Sequence, residues 1–341
     1  MRSMTDPAVS VIVPCYNEEM TIRGLLEAIH QQTFPSSQIE VIISDGMSTD
    51  GTRAAVKSFS EAHPELNIRL IDNYDRNIPA ALNRAIAASR GAYIVRLDAH
   101  SIPHPTYVET ALQTLETTGA ANVGGVWEIH PGGTGWIARS IATAAANPLG
   151  AGGARYRVGG TEGEVDTVPF GAFQRFWLER TGRFDESLLT NEDYEFNVRI
   201  RAAGGSVWFN PEIRSIYLAR PTLGELARQY WRYGFWKVRM LKRFPRSLRI
   251  RQALPPLFVL SLISALALSP FFTSARFWLI AQVGIYLLFL VYTGVVEGIR
   301  RKDYPLFVGV PLALITMHLA WGTAFLWSWL RPEEGDGRGT G

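Results

Sequence analysis

The residues of this 341-residue chain best placed for chemistry are a few carboxylates and one imidazole that stand just past apolar runs. Asp98 and His100, one residue apart, follow Ala92 to Leu97, so their side chains can leave the same side of the chain. Asp45 directly follows Ile39 to Ser44, a position from which a carboxylate can accept hydrogen bonds from a nucleoside. Pro14 to Glu19 ends a third apolar run and turns the chain outward, which exposes backbone groups to a base or ribose. Downstream, Thr190-Asn-Glu-Asp193 precedes a helix-like stretch. Each group also admits a plainer part. Glu18, Glu19, Glu192 and Asp193 suit the positive end of a following helix, Asp50 in Ser-Thr-Asp-Gly suits an N-cap, and Asp98 with His100 can be a capped turn before Pro103.

Positioning such groups requires strands that end together, and the pattern supplies them. Val9 to Cys15, Ile39 to Ser44, Ile68 to Ile71, Ala92 to Leu97 and Asn122 to Trp127 read as strands. Glu18 to Gln32, Asp50 to His63, Pro79 to Ser89 and Pro105 to Thr118 read as helices between them. That alternation predicts an α/β domain with a mostly parallel sheet, whose chemistry collects at the C-terminal strand ends. His130 to Glu164 is rich in Gly and Ala and reads as an inserted active-site loop region, with a short helix at Gly135 to Ala146. A strand at Val165 to Phe170 and a helix at Glu192 to Ala203 return to the core pattern.

The formal charge of +3 is uneven. Arg228, Arg232, Lys237, Arg239, Lys242, Arg243, Arg246, Arg249 and Arg251 form a run with no acid; without these nine, 25 basic residues face 31 acidic ones. The run stops just before an apolar segment, which suits anionic headgroups and speaks against a nucleic-acid partner. The single cysteine, Cys15, excludes an internal disulfide and a Cys-rich metal site and fits a reducing compartment. Met1 to Val9 is too polar for a signal peptide.

Leu223 to Phe244 interleaves aromatic and basic residues, as in a helix at a membrane interface. Ala253 to Phe272, Phe277 to Val296 and Leu306 to Trp327 each approach the ~20 residues of a spanning helix. Arg and Lys crowd the approach to the first and recur at Arg300, Arg301 and Lys302, whereas the loop Thr273 to Arg276 carries one. The positive-inside rule then puts the N-terminal domain in the cytoplasm, on a multi-pass protein of the inner membrane with its C-terminus outside. A buried bundle in a soluble protein is the competing reading. The expected layout is a catalytic domain at 1–221, a basic, aromatic interface segment at 222–252, three spans at 253–330 and a flexible tail at 331–341.

In that order, Val9-Ser-Val-Ile-Val-Pro-Cys-Tyr-Asn-Glu-Glu19, Ser44-Asp-Gly-Met-Ser-Thr-Asp-Gly-Thr52 and Asp98-Ala-His100 resemble the nucleotide-sugar domain of family 2 glycosyltransferases, which has the GT-A fold. The resemblance spans about Val9 to Gly205. With Asn191-Glu-Asp193 and the apolar tail, it is similar to the ExoA-like branch of succinoglycan and exopolysaccharide biosynthesis. It implies a nucleotide diphosphate sugar donor, UDP-linked, met by Pro14, Tyr16, Glu18, Asp45 and Asp98. It also implies Asp193 as the base of an inverting transfer, and a divalent metal at Asp98 and His100. The family has a second Asp where His100 stands, and imidazole, the softer ligand, favours Mn²⁺ over Mg²⁺. The apolar tail adds membrane lipids and a polyprenyl-diphosphate-linked glycan acceptor as partners.

Four further residues are candidates at the acceptor end. Arg155 and Arg157, in the Gly-rich insert, can clamp a diphosphate or simply be solvated loop arginines. Gln229-Tyr-Trp-Arg232-Tyr233 resembles the Gln-x-x-Arg-Trp signature of polymer-forming relatives, with Tyr233 replacing the Trp. Arg232 can neutralise a diphosphate there or only anchor the interface. Trp127 and Trp136 can stack on sugars, Trp127 more naturally in the core. Two rival functions stand beside the leading one: a processive synthase, for which three spans are few, and a catalytically silent scaffold, against which Asp45, Asp98 and Asp193 together argue. A Rossmann dehydrogenase is excluded, because Pro-Cys-Tyr-Asn-Glu and not Gly-x-Gly-x-x-Gly follows the first strand.

Overall fold

The computed structural model describes residues 6–331; the tail expected at 331–341 lies, past Arg331, outside the described residues. The elements run β1 (Val9–Cys15), α1 (Ile22–His30), β2 (Ile39–Asp45), α2 (Thr52–Ala62), β3 (Asn67–Asp72), α3 (Ile78–Ala88), β4 (Tyr93–Arg96), β5 (Ser101–Pro103), α4 (Tyr107–Thr118) and β6 (Asn122–Pro131). They continue with α5 (Trp136–Ala146), α6 (Pro148–Ala151), α7 (Arg155–Val158), β7 (Gly163–Glu164), β8 (Ala172–Gln174), α8 (Phe176–Thr181), α9 (Glu192–Ala202) and β9 (Val207–Ala219). Four long helices close the described chain: α10 (Leu223–Arg243), α11 (Ile250–Leu268), α12 (Thr273–Arg301) and α13 (Leu306–Leu330).

The strands form one sheet in the order β3-β2-β1-β4-β8-β6-β9-β5, with β7 beside β9. Its β3-β2-β1-β4 half is parallel, as the alternation predicts. Beyond β4 it is mixed: β8 runs antiparallel to β4 and β6, and β6 parallel to β9. Every residue of β1 and β2 is buried, which a strand covered on both faces requires. Their period-2 alternation divides the core. Val9, Val11 and Val13 join the cluster with α1 and α4, whereas Ile12 joins the one with α3 and α9. Gly125 sits at a bulge in β6, where any Cβ would collide with the carbonyl of Ile213.

The strand expected at Val165 to Phe170 does not form. Pro169 lacks an N–H for a ladder, and Phe170 and Gly171 take left-handed backbone, φ 61° and 90°. Pairing resumes one residue later in β8.

By packing the chain forms two units, 1–132 with 145–219 and 133–144 with 220 onward. Most of α5 therefore belongs to the second unit and not to a loop of the first. Its Ser140 lies against Gly309 of α13, and its Arg139 pairs with Asp303 at 2.6 Å. Among the described residues, three helices of this unit, α11, α12 and α13, are long and apolar enough to cross a membrane, with mean hydropathies of 1.5, 2.1 and 1.6 over an 18-residue stretch of each. Leu257, Phe277 and Leu288 are 59%, 69% and 69% exposed on them, an outward apolar surface that a buried soluble bundle would not leave. Glycines let these helices approach: Gly294 and Gly298 face Phe307, Gly322 faces Pro255, and Gly234 of α10 faces Trp321. α11 ends at Leu268 and α12 begins at Thr273, so the turn falls at 269–272, just before the loop expected at Thr273 to Arg276.

Candidate active site

β1 and β2 pair in register to their last residues, Cys15 opposite Asp45, so both leave the sheet at the same edge. The two turns that follow are bolted together. Asn17 takes left-handed backbone, φ 53°, which lets its N–H donate to Ser48 Oγ at 2.9 Å while its side-chain oxygen accepts from Thr49 N at 2.9 Å. Glu18 N donates to Thr52 Oγ1, Glu19 N donates to Asp50, and Glu19 accepts from Gly51 N. Asp50 accepts from Thr52 N at 3.0 Å, but the N-cap position of α2 is Gly51, one residue after the N-cap expected at Asp50.

Asp45 is fully buried, accepting from Ser48 N at 3.0 Å and from Arg53 at 2.7 Å, and Arg53 reaches on to Asp72 at 2.9 Å. The direct nucleoside contact expected of Asp45 is not what this arrangement offers. With no exposed surface, the carboxylate acts by fixing Ser48 and Arg53. Pro14 is buried beneath the first turn and Tyr16 is half exposed on it. Burial, together with Asp45, Glu18 and Asp50, pushes the Cys15 thiol well up, so it stays protonated and inert.

β4 ends at the same edge and delivers Asp98 and His100. Ala99 between them is buried, and both flanking side chains reach solvent, as the one-residue spacing predicts. The turn is tight: Ser101 donates to the carbonyl of Asp98 through both N and Oγ. His100 Nδ1 lies 3.0 Å from Glu18 Oε1, and Thr21 Oγ1 donates to the same carboxylate. Burial raises the Glu18 acid, but the hydrogen bonds from His100 and Thr21 outweigh it and hold the group below the usual carboxylate range. A carboxylate behind an imidazole, beside the half-buried Asp98, is a donor set suited to a divalent cation.

The group that organises the site is Arg96, the last residue of β4 and 2% exposed. Its guanidinium donates to Asp98 at 3.1 Å, to Glu192 at 3.0 Å and to Asp193. Glu192 and Asp193 open α9, held there by Asn191, which takes left-handed backbone at φ 72°. Enclosure pushes the Asp193 acid up to about 7; Arg96 pulls against this, and Glu192 and Asp98 add to it. Burial, Asp193 and Asp98 likewise push the buried Tyr107 hydroxyl up. Sequence reasoning missed Arg96 and Tyr107. The available signal was a charge ending the otherwise apolar run Tyr-Ile-Val-Arg96, two residues before Asp98.

Of the acceptor candidates, Arg155 and Arg157 belong to the first unit. Arg157 is buried against Trp127, Tyr156 and Tyr217, its guanidinium 5.4 Å from the Trp127 ring, and Trp127 stacks on Tyr217 at 4.3 Å. This is a cation–π box inside the first unit, so the clamp expected of Arg157 is not presented to solvent. Arg155 donates to the carbonyl of Thr161. Gln229 and Arg232 lie on α10 of the second unit, where Gln229 donates to the Tyr233 hydroxyl at 3.0 Å. Tyr233 thus engages the residue that the signature pairs with a Trp.

The family model described as glycosyl transferase family 2 matches residues 10–182. The succinoglycan biosynthesis protein ExoA of Rhizobium meliloti (strain 1021) is 27% identical over 324 residues, 94% of this chain and 95% of that protein. Glycosyltransferase AglE of Haloferax volcanii is 32% identical over 231 residues, 67% of this chain and 73% of its own. Among solved structures, a mannosyltransferase from Pyrobaculum calidifontis in complex with GDP-Man and Mn²⁺ superposes with a TM-score of 0.62 at 23% identity, covering 95% of this chain and 88% of that one.

Proposed function

Because the chain belongs to glycosyl transferase family 2, we propose that it is a membrane-attached, inverting hexosyltransferase. It takes a hexose from a nucleotide diphosphate sugar, UDP-linked, to a polyprenyl-diphosphate-linked glycan during assembly of an exopolysaccharide or cell-surface polysaccharide. The reading rests on one observation, the single buried guanidinium of Arg96 that gathers Asp98, Glu192 and Asp193 at the edge where β1, β2 and β4 end. The likeness to ExoA over nearly its whole length supports the polysaccharide setting.

In the transfer, an acceptor hydroxyl oxygen bonds to the anomeric carbon as the bond from that carbon to the diphosphate oxygen breaks, and the nucleotide diphosphate leaves with the electron pair. Asp193 takes the acceptor proton; an acid form near 7 suits a base at neutral pH. Arg96 holds that base and Asp98 at fixed places. Tyr16 and Glu18 line the nucleoside end, with Pro14 buried beneath them, and Asp45 braces it through Ser48 and Arg53. A divalent ion at Asp98 and His100 would neutralise charge on the leaving diphosphate, with Mn²⁺ preferred for the imidazole. The GDP-Man and Mn²⁺ of the mannosyltransferase support a nucleotide-sugar donor and such an ion.

The first unit is the catalytic domain and faces the cytoplasm, where nucleotide sugars are made. α10 lies among anionic headgroups, and α11 to α13 cross the inner membrane. Arg155, Gln229 and Arg232 remain candidates for the acceptor diphosphate. The test is to supply purified full-length enzyme in lipid with labelled UDP-glucose, UDP-galactose, UDP-N-acetylglucosamine and GDP-mannose and a polyprenyl-diphosphate-sugar acceptor. The expected result is label in the lipid extract from one donor, with equal release of nucleotide diphosphate. Release and transfer from none, under conditions that support donor binding, would overturn the reading.

A further inference from the structure

His30, His63 and Glu65 come together outside the site just described. His30 is the last residue of α1, His63 caps the C-terminal end of α2, and Glu65 follows two residues later. Two backbone segments, the ends of α1 and α2, thus bring two imidazoles and a carboxylate to one place. His30 Nε2 lies 2.6 Å and His63 Nδ1 3.4 Å from the same oxygen, Glu65 Oε1. One ligand atom from each lies within 4.8 Å of the others. The imidazole centroids are 4.4 Å apart, and Phe59 packs on His63 at 4.4 Å, walling one side with apolar surface.

Electrostatics favours a cation at this point. The C-terminal ends of α1 and α2 converge there, and each carries the negative end of its helix dipole. A carboxylate placed between two such ends is stabilised by a positive partner. The donor set selects the class of ion: two nitrogens and one carboxylate oxygen suit zinc and its neighbours and suit Mg²⁺ or Ca²⁺ poorly. With metal–ligand bonds of about 2.0–2.2 Å, ligand atoms of a tetrahedral site lie roughly 3.3–3.6 Å apart. The side chains are 33%, 31% and 49% exposed, so rotation about their own bonds can open the short pair and close the long one.

We propose that His30, His63 and Glu65 form a second divalent-metal site, of the zinc class, with water as fourth ligand, that staples α1 to α2. These helices begin at the two interlocked turns of the active site, and the staple joins their opposite ends. The site is independent of the reading of Asp98 and His100, and of glycosyl transfer itself.

The test uses full-length protein in detergent, purified without a histidine tag and freed of metal. Co²⁺ is titrated and followed by its visible absorption, then displaced with Zn²⁺. The expected result is one tetrahedral Co²⁺ signal that survives His100→Ala and is lost in His30→Ala and His63→Ala. The loss of affinity in those variants should exceed the about 10-fold to 100-fold cost of removing an outer-shell partner. Zn²⁺ should also raise the melting temperature of the wild type and of His100→Ala, but not of His63→Ala. Should a His→Ala protein fail to fold, Glu65→Gln keeps the side-chain shape and must weaken Zn²⁺ binding. Co²⁺ binding unchanged in His30→Ala and His63→Ala, or a signal abolished by His100→Ala alone, would overturn the proposal and leave the cluster an ion pair.

Discussion

Arg96 and Asp193 stand 97 positions apart in the chain and form one ion pair in the interior of the first unit. The same guanidinium also holds Asp98 and Glu192, so the candidate base and the candidate metal ligand share a fixed reference point. Arg96→Lys keeps the charge but replaces a planar fork with a point donor that cannot span three carboxylates. The expected result is a folded protein whose kcat falls ~10²-fold while its KM for the donor changes little. Near-normal kcat in Arg96→Lys would show that Arg96 only balances buried charge.

Asp193→Asn keeps size but cannot take a proton, and its transfer rate should fall ~10² to 10⁴-fold. Donor binding by calorimetry should stay close to normal. If the residue merely favoured the helix N-terminus, the change would cost ~1 kcal/mol of stability and leave turnover intact.

The pH profile follows from the raised pKa of the same group. A base works in its ionised form, so activity should be low below pH 7, rise through about 7 and level off above it. A cation bound nearby favours the ionised carboxylate, so saturating divalent metal should move this limb to lower pH. Activity that falls as pH rises through 7 would contradict Asp193 as the base.

Chelation should abolish transfer, and Mn²⁺ should restore it better than Mg²⁺. His100→Asp, which replaces the nitrogen donor with oxygen, should shift the preference toward Mg²⁺. Survival of activity after exhaustive chelation would remove Asp98 and His100 from metal binding.

Orientation can be read with an impermeant maleimide on intact cells. Ser274→Cys, in the first turn of α12, should label from outside, and Ser58→Cys on α2 should not. Cys15, 5% exposed and with its thiol pushed up, should give no background. Labelling of Ser58→Cys from outside would place the first unit on the other face of the membrane.

What was legible beforehand is what is local. Pro14 to Glu19, Asp45, Asp98 with His100 and Asn191 to Asp193 each stand where an apolar run stops or a helix starts, and a few residues of context suffice to read that. Arg96 was illegible because its meaning lies in partners that only the fold brings to it. The pairing of Glu18 with His100, 82 positions apart, is of the same kind. Val165 to Phe170 misled because its β-branched residues carry strand pattern, while Pro169 and the left-handed pair after it decide against a ladder. Asp45 was read at the right strand end, but not that Ser48 and Arg53 cover it.

The membership of α5 bears on how this protein can be divided. The chain leaves the first unit at 133, returns near 145 and leaves again at 220, so no single cut separates the two. Removal of everything after Ala219 would take Asp303 from Arg139 and Gly309 from Ser140. A water-soluble catalytic fragment would then carry an apolar helix with its partners gone, and it would aggregate through that helix. A usable fragment needs a second excision, of residues 133–144, with a short polar bridge in their place.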